Sequence, residues 1–453
     1  MAMIAPARRV SYRILLQIAT SEAHGDDLLR SAEVDRLSAQ DRNLTTTLVL
    51  GTLRWQLALD ARIRELLARP EAELSPEAAT ALRMGAYQLL HLDRVPAHAV
   101  IHDSVELVKY GDERGAAGMV NAVLRKIQRS GTSRPGGGAS RSAGVAAEWA
   151  HPVWMVERWA RRYGLEAAEA ICRWDQEAAG ATIRVADSAT DLKGIETESG
   201  YFLSSARRVA RGDVGRSEAF RDGTVRIQDE ASQLVAEIAA AAVPLAQRVM
   251  DTCAAPGGKT AILAERLPEA EITAVDISRK RLDLMVLAAR AGRFATQRQE
   301  GLRWEVADAA TLELKPEWDL ILCDVPCSGT GTIARNPEIR LRVSEVDLAR
   351  QHARQVAILR AGLMGLKPSA RLVYSTCSLE PEENEDVVTE VLRETPGFTV
   401  VPVEGILDQL AASGVVTAEG RERLRTAMDG NFLRTLPGVH PCDGFFAAVL
   451  ERS

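Results

Sequence analysis

Two cysteines each follow an apolar run that is typical of a buried strand. Cys327 lies in Asp324-Val-Pro-Cys-Ser-Gly-Thr-Gly331, and Cys377 lies in Tyr374-Ser-Thr-Cys-Ser378. Neighbouring strands in a sheet are roughly 5 Å apart, so both thiols enter one crevice if these strands are adjacent. A thiolate is a strong nucleophile, and a carboxyl group such as Asp324 can hold or donate a proton. The pattern therefore favours a reaction that passes through a covalent intermediate.

The other four cysteines give a different interpretation. Six cysteines in 453 residues are too few and too scattered for a disulfide framework, which favours a reducing compartment. We expect Cys172 and Cys442 to be inert packing residues, and we prefer the same interpretation for the thiols of Cys253 and Cys323. Zinc needs four ligands, and the spacing from Cys323 to Cys327 has no matching second pair. The sequence therefore predicts no metal site.

A glycine-rich turn follows the first predicted strand of the carboxyl-terminal half. The segment Asp251-Thr-Cys-Ala-Ala-Pro-Gly-Gly-Lys-Thr260 opens a predicted helix, whose amino terminus offers unpaired N–H groups. A phosphate-binding P-loop needs glycine where this chain has Cys253, and the dinucleotide pattern G-x-G-x-x-G is absent. The turn therefore suits a ligand that approaches the backbone closely and carries no polyphosphate.

Three aspartates end successive predicted strands: Asp276, Asp308 and Asp324. One such acid is as often a helix cap as a ligand contact. Three in succession after a glycine-rich turn fit an adenosine-containing ligand, because the carboxylate after the second strand meets the ribose hydroxyls. S-adenosylmethionine is the candidate these residues favour. A nucleoside triphosphatase stays open as an alternative, because Asp319-Leu-Ile-Leu-Cys-Asp324 also has the form of a strand that ends in a magnesium-binding acid.

A pair of thiols beside a methyl donor suits one particular reaction. Carbon 5 of cytosine is a poor nucleophile, but a thiolate that adds at carbon 6 turns the ring into an enamine that attacks the donor methyl. Removal of the proton from carbon 5 then expels the thiolate. Asp324, Cys327 and Cys377 are the residue types this chemistry needs. Methylation of an exocyclic amine usually uses an Asn/Asp-Pro-Pro-aromatic loop, where this chain has Asp-Val-Pro-Cys.

The elements that must position these residues are short apolar runs that alternate with helix-length segments. This texture predicts a doubly wound, mostly parallel, seven-stranded α/β sheet, in which ligands lie beyond the carboxyl ends of the strands. The seven predicted strands span 248–253, 271–276, 302–307, 318–324, 370–376, 397–403 and 443–450.

The rest of the chain predicts further domains. Residues 1–130 have helical periodicity, with helix starts expected near 39 and 76 from the caps at Ser38 and Ser75. Five glycines and three serines between 131 and 146 predict a flexible linker over 131–148. A small mixed connecting domain is expected over 149–225, and the α/β domain over 226–453.

Composition narrows the function classes. The formal charge of −6 excludes a highly basic nucleic-acid coat protein but not a nucleic-acid enzyme. No 18-residue apolar stretch and no signal-peptide core occur, so we expect a cytoplasmic protein with no membrane association. We also expect a monomer.

Five ordered motifs carry a resemblance to a known family. The carboxyl-terminal half resembles the RNA 5-methylcytidine methyltransferases, which have a Rossmann-like, S-adenosylmethionine-dependent fold. The amino-terminal stretch, 1–130, resembles the NusB-like helical RNA-binding domain. The pairing is similar to bacterial enzymes that methylate carbon 5 of a cytidine in 16S ribosomal RNA. The methyltransferase motifs are Gln228-Asp-Glu-Ala-Ser232, 251–260, 324–331, 374–378 with Glu382-Glu-Asn-Glu385, and Asp443-Gly-Phe-Phe446; the NusB-like segments are 48–55, 96–102 and 120–125.

The resemblance implies roles that spacing alone does not give. Cys377 would be the attacking nucleophile and Cys327 would assist product release, whereas DNA cytosine-C5 methyltransferases attack with the cysteine of the Pro-Cys motif. Asp276 would bind the ribose, Asp308 would lie by the adenine, and Asp324 would border both donor and target base. The implied donor-binding residues are Cys253, Ala254, Ala255, Pro256, Gly257, Gly258, Lys259, Asp276, Asp308 and Asp324.

The expected partner is 16S ribosomal RNA, either naked or in an early small-subunit particle. Methylation of transfer RNA by the same chemistry, and a non-catalytic RNA-binding assembly factor, remain alternatives. The group Arg207, Arg208 and Arg211 is a candidate phosphate contact, with a solvated charged face equally open. One departure from the family pattern is Arg434-Thr-Leu-Pro-Gly-Val-His440, where a glycine-rich approach to the last motif is common.

Overall fold

The computed structural model describes residues 4–131, 140–178, 180–185, 190, 192–292 and 301–453. The helices are α1 (Pro6–Thr20), α2 (Gly25–Leu29), α3 (Ala32–Asp35), α4 (Ala39–Leu66), α5 (Pro76–His91), α6 (Ala97–Tyr110), α7 (Ala117–Ser130), α8 (Arg141–Glu148), α9 (Val153–Tyr163), α10 (Leu165–Gln176), α11 (Glu218–Arg221), α12 (Glu230–Ala242), α13 (Gly258–Arg266), α14 (Arg279–Arg290), α15 (Ile339–Arg342), α16 (Glu345–Met364), α17 (Glu385–Glu394), α18 (Val403–Ala412) and α19 (Ala418–Arg423).

The strands are β1 (Thr182–Val185), β2 (Glu196–Ser199), β3 (Ala206–Arg211), β4 (Val225–Ile227), β5 (Arg248–Asp251), β6 (Glu271–Asp276), β7 (Leu302–Val306), β8 (Trp318–Asp324), β9 (Leu366–Thr376), β10 (Phe398–Val401), β11 (Met428–Asp429), β12 (Phe432–Thr435) and β13 (Phe445–Arg452). Within the described ranges, no helix is both long enough and apolar enough to span a membrane.

Two compact units divide the chain. The first comprises 1–178 with 333–342, and the second comprises 179–332 with 343–453. The predicted boundaries do not coincide with this division. Helices α9 and α10 of the expected connecting domain belong to the first unit, because they bury one face there, including Trp159 and Ile171. The strands of that region belong to the second unit.

The first unit is helical, as predicted. Ser38 and Ser75 cap α4 and α5 by accepting the backbone N–H groups of Asp41 and Ala78, which confirms both expected helix starts. The core between α1 and α4–α7 contains fully buried aliphatic side chains such as Leu48, spaced to line one face of each helix.

The predicted flexible linker is corrected at its carboxyl end. Residues 141–148 form α8, whose first turn is capped by Ser140 and whose Ala146 side chain is buried. The cap and this apolar contact outweigh the glycine and serine content that suggested a linker. The rest of that prediction, over 132–139, lies outside the described residues.

The segment 333–342 is held in the helical unit by its arginines. The Arg340 side chain is 2% exposed, and its guanidinium donates to the carbonyl oxygens of Arg54, Ala150 and Asp175 at 3.2–3.3 Å. Arg342 donates to four carbonyl oxygens at and just beyond the end of α1. Several of the carbonyl oxygens that the two arginines reach lie at or beyond helix ends, where they have no partner within the helix, and these bonds explain why this part of the chain packs with the first unit.

The second unit is built on a nine-stranded sheet with the order β11-β12-β13-β9-β8-β5-β6-β7, with β10 also paired to β13. All seven predicted strands are present. The count of seven is corrected, because the short strands β11 and β12 extend one side. The expectation of a mostly parallel sheet holds for the predicted strands, because β9, β8, β5, β6 and β7 are joined by parallel pairings. The pairings of β10–β13 are antiparallel.

A four-stranded antiparallel sheet, β2-β3-β1-β4, precedes α12. Arg207 and Arg208 lie on β3 and make contacts within the protein. Arg207 donates to the carbonyl oxygens of Ser204 and Ala206, and Arg208 donates to Glu198 and to the Tyr201 hydroxyl. These contacts order both side chains on the surface, where Arg211 is exposed.

Candidate active site

The five parallel strands end at one edge of the sheet, so the loops after them meet there. A cleft of about 260 Å³ opens among these loops. It is lined by Thr252, Cys253, Ala255, Asp276, Ile277, Arg281, Asp308, Ala309, Asp324, Val325, Pro326, Cys327, Arg354, Ile358 and Cys377. The cleft therefore brings together both singled-out cysteines and all three strand-end aspartates.

The two cysteines follow adjacent parallel strands. Residue Asp324 of β8 pairs in register with Ser375 of β9, and the sulfur atoms of Cys327 and Cys377 are 3.5 Å apart. Both are free thiols. The Gly331 N–H donates to the Cys377 carbonyl oxygen at 2.9 Å, which ties the two loops together. The geometry expected from neighbouring strands is present.

The surroundings of Cys327 favour its neutral form. Its hydrogen bond with Cys377 raises the pKa of the Cys327 thiol well above the ordinary value, and burial and the electrostatic effects of Cys377 and Glu383 raise it further. This shift favours the protonated thiol of Cys327, which is a weaker nucleophile than a thiolate.

Asp324 lines the same cleft as the two cysteines, and its carboxylate accepts hydrogen bonds from two side chains. Lys259 donates to one carboxylate oxygen at 2.6 Å, and the Ser375 hydroxyl donates to the other at 2.7 Å. The Lys259 ammonium also lies 5.0 Å from the centre of the Phe445 ring. Since each oxygen keeps a second lone pair, the carboxylate can still bind another polar group.

A glycine is required where the glycine-rich turn that follows β5 leads into α13. Gly257 has φ of 104° in the left-handed region, immediately before α13, and its N–H donates to the Ala254 carbonyl oxygen. Within this turn, Cys253 and Ala255 line the cleft. The Ala254 side chain is instead buried among apolar residues, and the predicted contacts Pro256, Gly257, Gly258 and Lys259 are not among the lining residues.

The part of the cleft that follows β6 and β7 has two carboxylates. Asp276 accepts the N–H groups of Ala255 and Ser278 and pairs with Arg281 at 3.2 Å. Asp308 is partly exposed and lies 3.9 Å from Arg354. Ile277 is half exposed at the same surface. Fixed acceptors for hydroxyl groups beside an exposed aliphatic side chain fit a ribose and an adenine ring.

The carboxyl group of Asp251 is buried at the end of β5, where the glycine-rich turn begins. Burial raises the pKa of Asp251 to about 7, while the hydrogen bond from Thr260 opposes this shift. Its second oxygen is buried and has no hydrogen-bond partner among the described residues. Such a group is stable only when it holds a proton or when a polar partner arrives.

Sequence reasoning missed several residues of the cleft. Arg281 and Arg354 project from α14 and α16 outside any motif, so only the packing of these helices on the sheet brings them to the cleft. Ser375 was part of a quoted motif, but its bond to Asp324 depends on the register of β8 and β9. Glu383 likewise lay in a motif without a role.

The remaining cysteines lie in apolar surroundings. Cys172, Cys323 and Cys442 are buried, and burial raises the pKa of all three, to about 12 for Cys323. Burial also raises the pKa of Cys253 well above its ordinary value, although this residue lines the cleft. Neutral thiols in such places are poor nucleophiles, which agrees with their interpretation as packing residues.

Comparisons with known proteins agree with this architecture. Residues 242–451 match the family described as 16S rRNA methyltransferase RsmB/F, and residues 5–129 match the NusB family. The chain is 33% identical over 465 residues to the probable ribosomal RNA small subunit methyltransferase B of Bacillus subtilis, covering 98% of each. It is 33% identical over 434 residues to ribosomal RNA small subunit methyltransferase B of Pseudomonas syringae, covering 92% of this chain and 91% of that protein. The crystal structure of PH0851 has the same fold, with a TM-score of 0.81, 22% identity and 99% of each chain covered.

Proposed function

Because the chain belongs to the 16S rRNA methyltransferase RsmB/F family, we propose that it transfers a methyl group from S-adenosylmethionine to carbon 5 of one cytidine in 16S ribosomal RNA. The observation that carries the cytosine-C5 chemistry is the pair of free thiols, Cys327 and Cys377, 3.5 Å apart beside Asp324. Methyl transfer to an amine or to a hydroxyl needs no cysteine pair, whereas addition to carbon 6 of a pyrimidine needs a thiolate.

The residues that would hold S-adenosylmethionine lie in the part of the cleft that follows β6 and β7. Asp276 would accept hydrogen bonds from the ribose hydroxyls, Ile277 would pack against the adenine, and Asp308 would lie at the edge of that ring. Cys253 and Ala255, in the glycine-rich turn after β5, would contact the rest of S-adenosylmethionine. When bound there, S-adenosylmethionine supplies an electrophilic methyl group.

The protein's own residues would carry the remaining steps. The Cys377 thiolate adds to carbon 6 of the cytosine, and the electrons of the C5–C6 double bond make carbon 5 nucleophilic. Asp324, held by Lys259 and Ser375, holds a proton at N3, so the electron pair that the addition displaces towards N3 forms an N3–H bond and no negative charge is left there. After carbon 5 takes the methyl group, solvent water removes the proton from carbon 5, the C5–C6 double bond re-forms and Cys377 leaves carbon 6 as a thiolate. Cys327, a neutral thiol whose sulfur lies 3.5 Å from that of Cys377, assists this release by donating a hydrogen bond to the departing sulfur.

The substrate assignment is RNA of the small ribosomal subunit. A cytidine inside structured RNA has to leave its stack to reach a cleft of this kind. The helical first unit would supply additional contacts to the RNA, in line with its match to the NusB family. Naked 16S ribosomal RNA and an early small-subunit particle are both substrates that this assignment allows.

Methylation assays on two RNA classes test the proposal. Unmethylated 16S ribosomal RNA and a transfer RNA pool are each incubated with the protein and radiolabelled S-adenosylmethionine, and the products are digested to nucleosides. We expect 5-methylcytidine from ribosomal RNA and none from transfer RNA. Label on transfer RNA alone would shift the substrate class, and label on another nucleoside would overturn the chemistry. Cys442→Ala, a buried cysteine outside the cleft, is the control variant.

A further inference from the structure

Each cysteine of the cleft is followed by a serine, and one carboxylate binds both serines. Glu383 accepts the backbone N–H of Ser328 at 2.8 Å and also the Ser328 hydroxyl. It also accepts a hydrogen bond from the hydroxyl of Ser378, which lies 3.1 Å from that of Ser328. Cys327 and Cys377 are each only one residue away from this junction. The carboxylate therefore joins the two cysteine loops directly behind the thiols.

The junction is closed to solvent. Glu383 and Gln355 are fully buried, and Ser378 is 1% exposed. Gln355, on α16, donates to Glu383 at 3.1 Å and to the Pro326 carbonyl oxygen at 2.9 Å, which adds a third attachment to the Cys327 loop. No lysine or arginine in the described parts of the chain lies within ion-pair distance of Glu383. A buried carboxylate is costly unless hydrogen bonds satisfy it, so four donors on one side chain make a rigid junction.

The charge of this carboxylate acts on the nearer thiol. Glu383 is one of the groups that raise the pKa of Cys327, after the hydrogen bond to Cys377, burial and the charge of Cys377. The other titratable or charged groups around Cys327 are Tyr374 behind it and Asp324 and Arg354 in the cleft. Glu383 is not among the residues that line the cleft, so its carboxylate acts on Cys327 from outside the cleft.

We propose that Glu383 is a positioning residue that fixes the spacing of Cys327 and Cys377 and acts on the Cys327 thiol through the carboxylate buried between the two cysteine loops. Its consequence for methyl transfer rests on the proposed function, in which Cys377 attacks and Cys327 assists release. Its consequence for the thiols does not, because the junction exists in the protein without RNA or methyl donor.

The charge is tested with Glu383→Gln in the ligand-free protein. The amide oxygen can accept from the Ser328 N–H and Gln355, and the amide NH₂ can donate to the two serine hydroxyls, so shape and hydrogen bonds persist while the charge is lost. Alkylation of each cysteine by iodoacetamide is followed by mass spectrometry from pH 6 to pH 10. We expect the profile of Cys327 to move to lower pH, with alkylation about tenfold faster at pH 8.

The neighbouring Glu382→Gln is the matched control, because it removes the same charge one residue away from the junction. An unchanged Cys327 profile in Glu383→Gln, or an equal shift in Glu382→Gln, would overturn the electrostatic part of the proposal. Since neither RNA nor S-adenosylmethionine is present, this result stands even if the chain methylates no cytosine.

The spacing is tested with Glu383→Ala, which removes the attachment to both serines. We expect kcat for methyl transfer to fall about 100-fold while KM for RNA stays within about twofold, because misplaced reacting groups slow the chemical step rather than binding. Full kcat in Glu383→Ala would overturn the positioning role. If this variant does not fold, kcat of Glu383→Gln decides instead: near-normal kcat at its optimal pH supports positioning by hydrogen bonds, and a 100-fold loss contradicts it.

Discussion

The Cys327 loop, 324–331, and the Cys377 loop, 374–378, share their local design and differ in their surroundings. Both leave adjacent parallel strands, and both contain a Cys-Ser pair held by Glu383. The pKa of Cys327 is raised well above its ordinary value by Cys377, by burial and by Glu383. The comparison teaches that the surroundings of a cysteine, here a hydrogen bond, burial and a nearby carboxylate at Cys327, set its pKa in a way that the local sequence does not reveal.

The largest effect is expected from removal of the attacking thiol. Cys377→Ala leaves no thiolate to add to carbon 6, so methyl transfer should fall by about 10⁴-fold or more. The measurement is label incorporation under single-turnover conditions, with Cys442→Ala as control for the loss of a buried thiol. A fall of tenfold or less in Cys377→Ala would remove the distinction between the two loops.

A smaller effect should come from the bond that joins the loops through Asp324. Ser375, on the strand that leads to Cys377, donates to Asp324, on the strand that leads to Cys327. Ser375→Ala removes one hydrogen bond to a carboxylate, so kcat should fall about tenfold with little change in KM for RNA. Ser413→Ala, just beyond α18 and outside the cleft, is the matched variant. Equal activity in both variants would show that Asp324 needs no support from the second loop.

The smallest effect concerns the stability of the fold and comes from Asp251, at the end of β5. The pKa of Asp251 is raised to about 7 in the folded protein, above its unfolded value, so the stability it contributes is present at low pH and is lost as pH rises towards 7. Asn cannot titrate and can still accept from Thr260. As pH rises from 5 to 7, the free energy of unfolding of Asp251→Asn should therefore increase relative to that of the wild type by about 1 kcal/mol per pH unit. Urea unfolding at several pH values measures this, and a constant difference would contradict the raised pKa.

Much of the second unit could be predicted from its sequence. Short apolar runs identified the seven strands that were expected. Most of them, such as β6, β8 and β13, are buried on both faces, and strands of this kind need apolar residues throughout. The rule that parallel strands end at one edge then brought Asp276, Asp308, Asp324, Cys327 and Cys377 to one cleft. Local chemistry was also sufficient for the starts of α4 and α5.

The rest depends on contacts between distant parts of the chain. Strands β11 and β12 have two and four residues, too few for a periodic signal. Helix α8 lies in a stretch whose composition resembles a linker. The packing of 333–342 in the helical unit depends on hydrogen bonds from Arg340 to carbonyl oxygens more than 160 residues away in the sequence. The role of Glu383 depends on the simultaneous position of two serines 50 residues apart.

Covalent trapping tests the central claim, that Cys377 attacks and Cys327 releases. Cys327→Ala protein is mixed with S-adenosylmethionine and unmethylated 16S ribosomal RNA and resolved on a denaturing gel. We predict a covalent protein–RNA band, because the adduct forms but is released slowly, and its loss when Cys377→Ala is added to the same chain. A band that survives the loss of Cys377 would contradict the assignment of the two thiols.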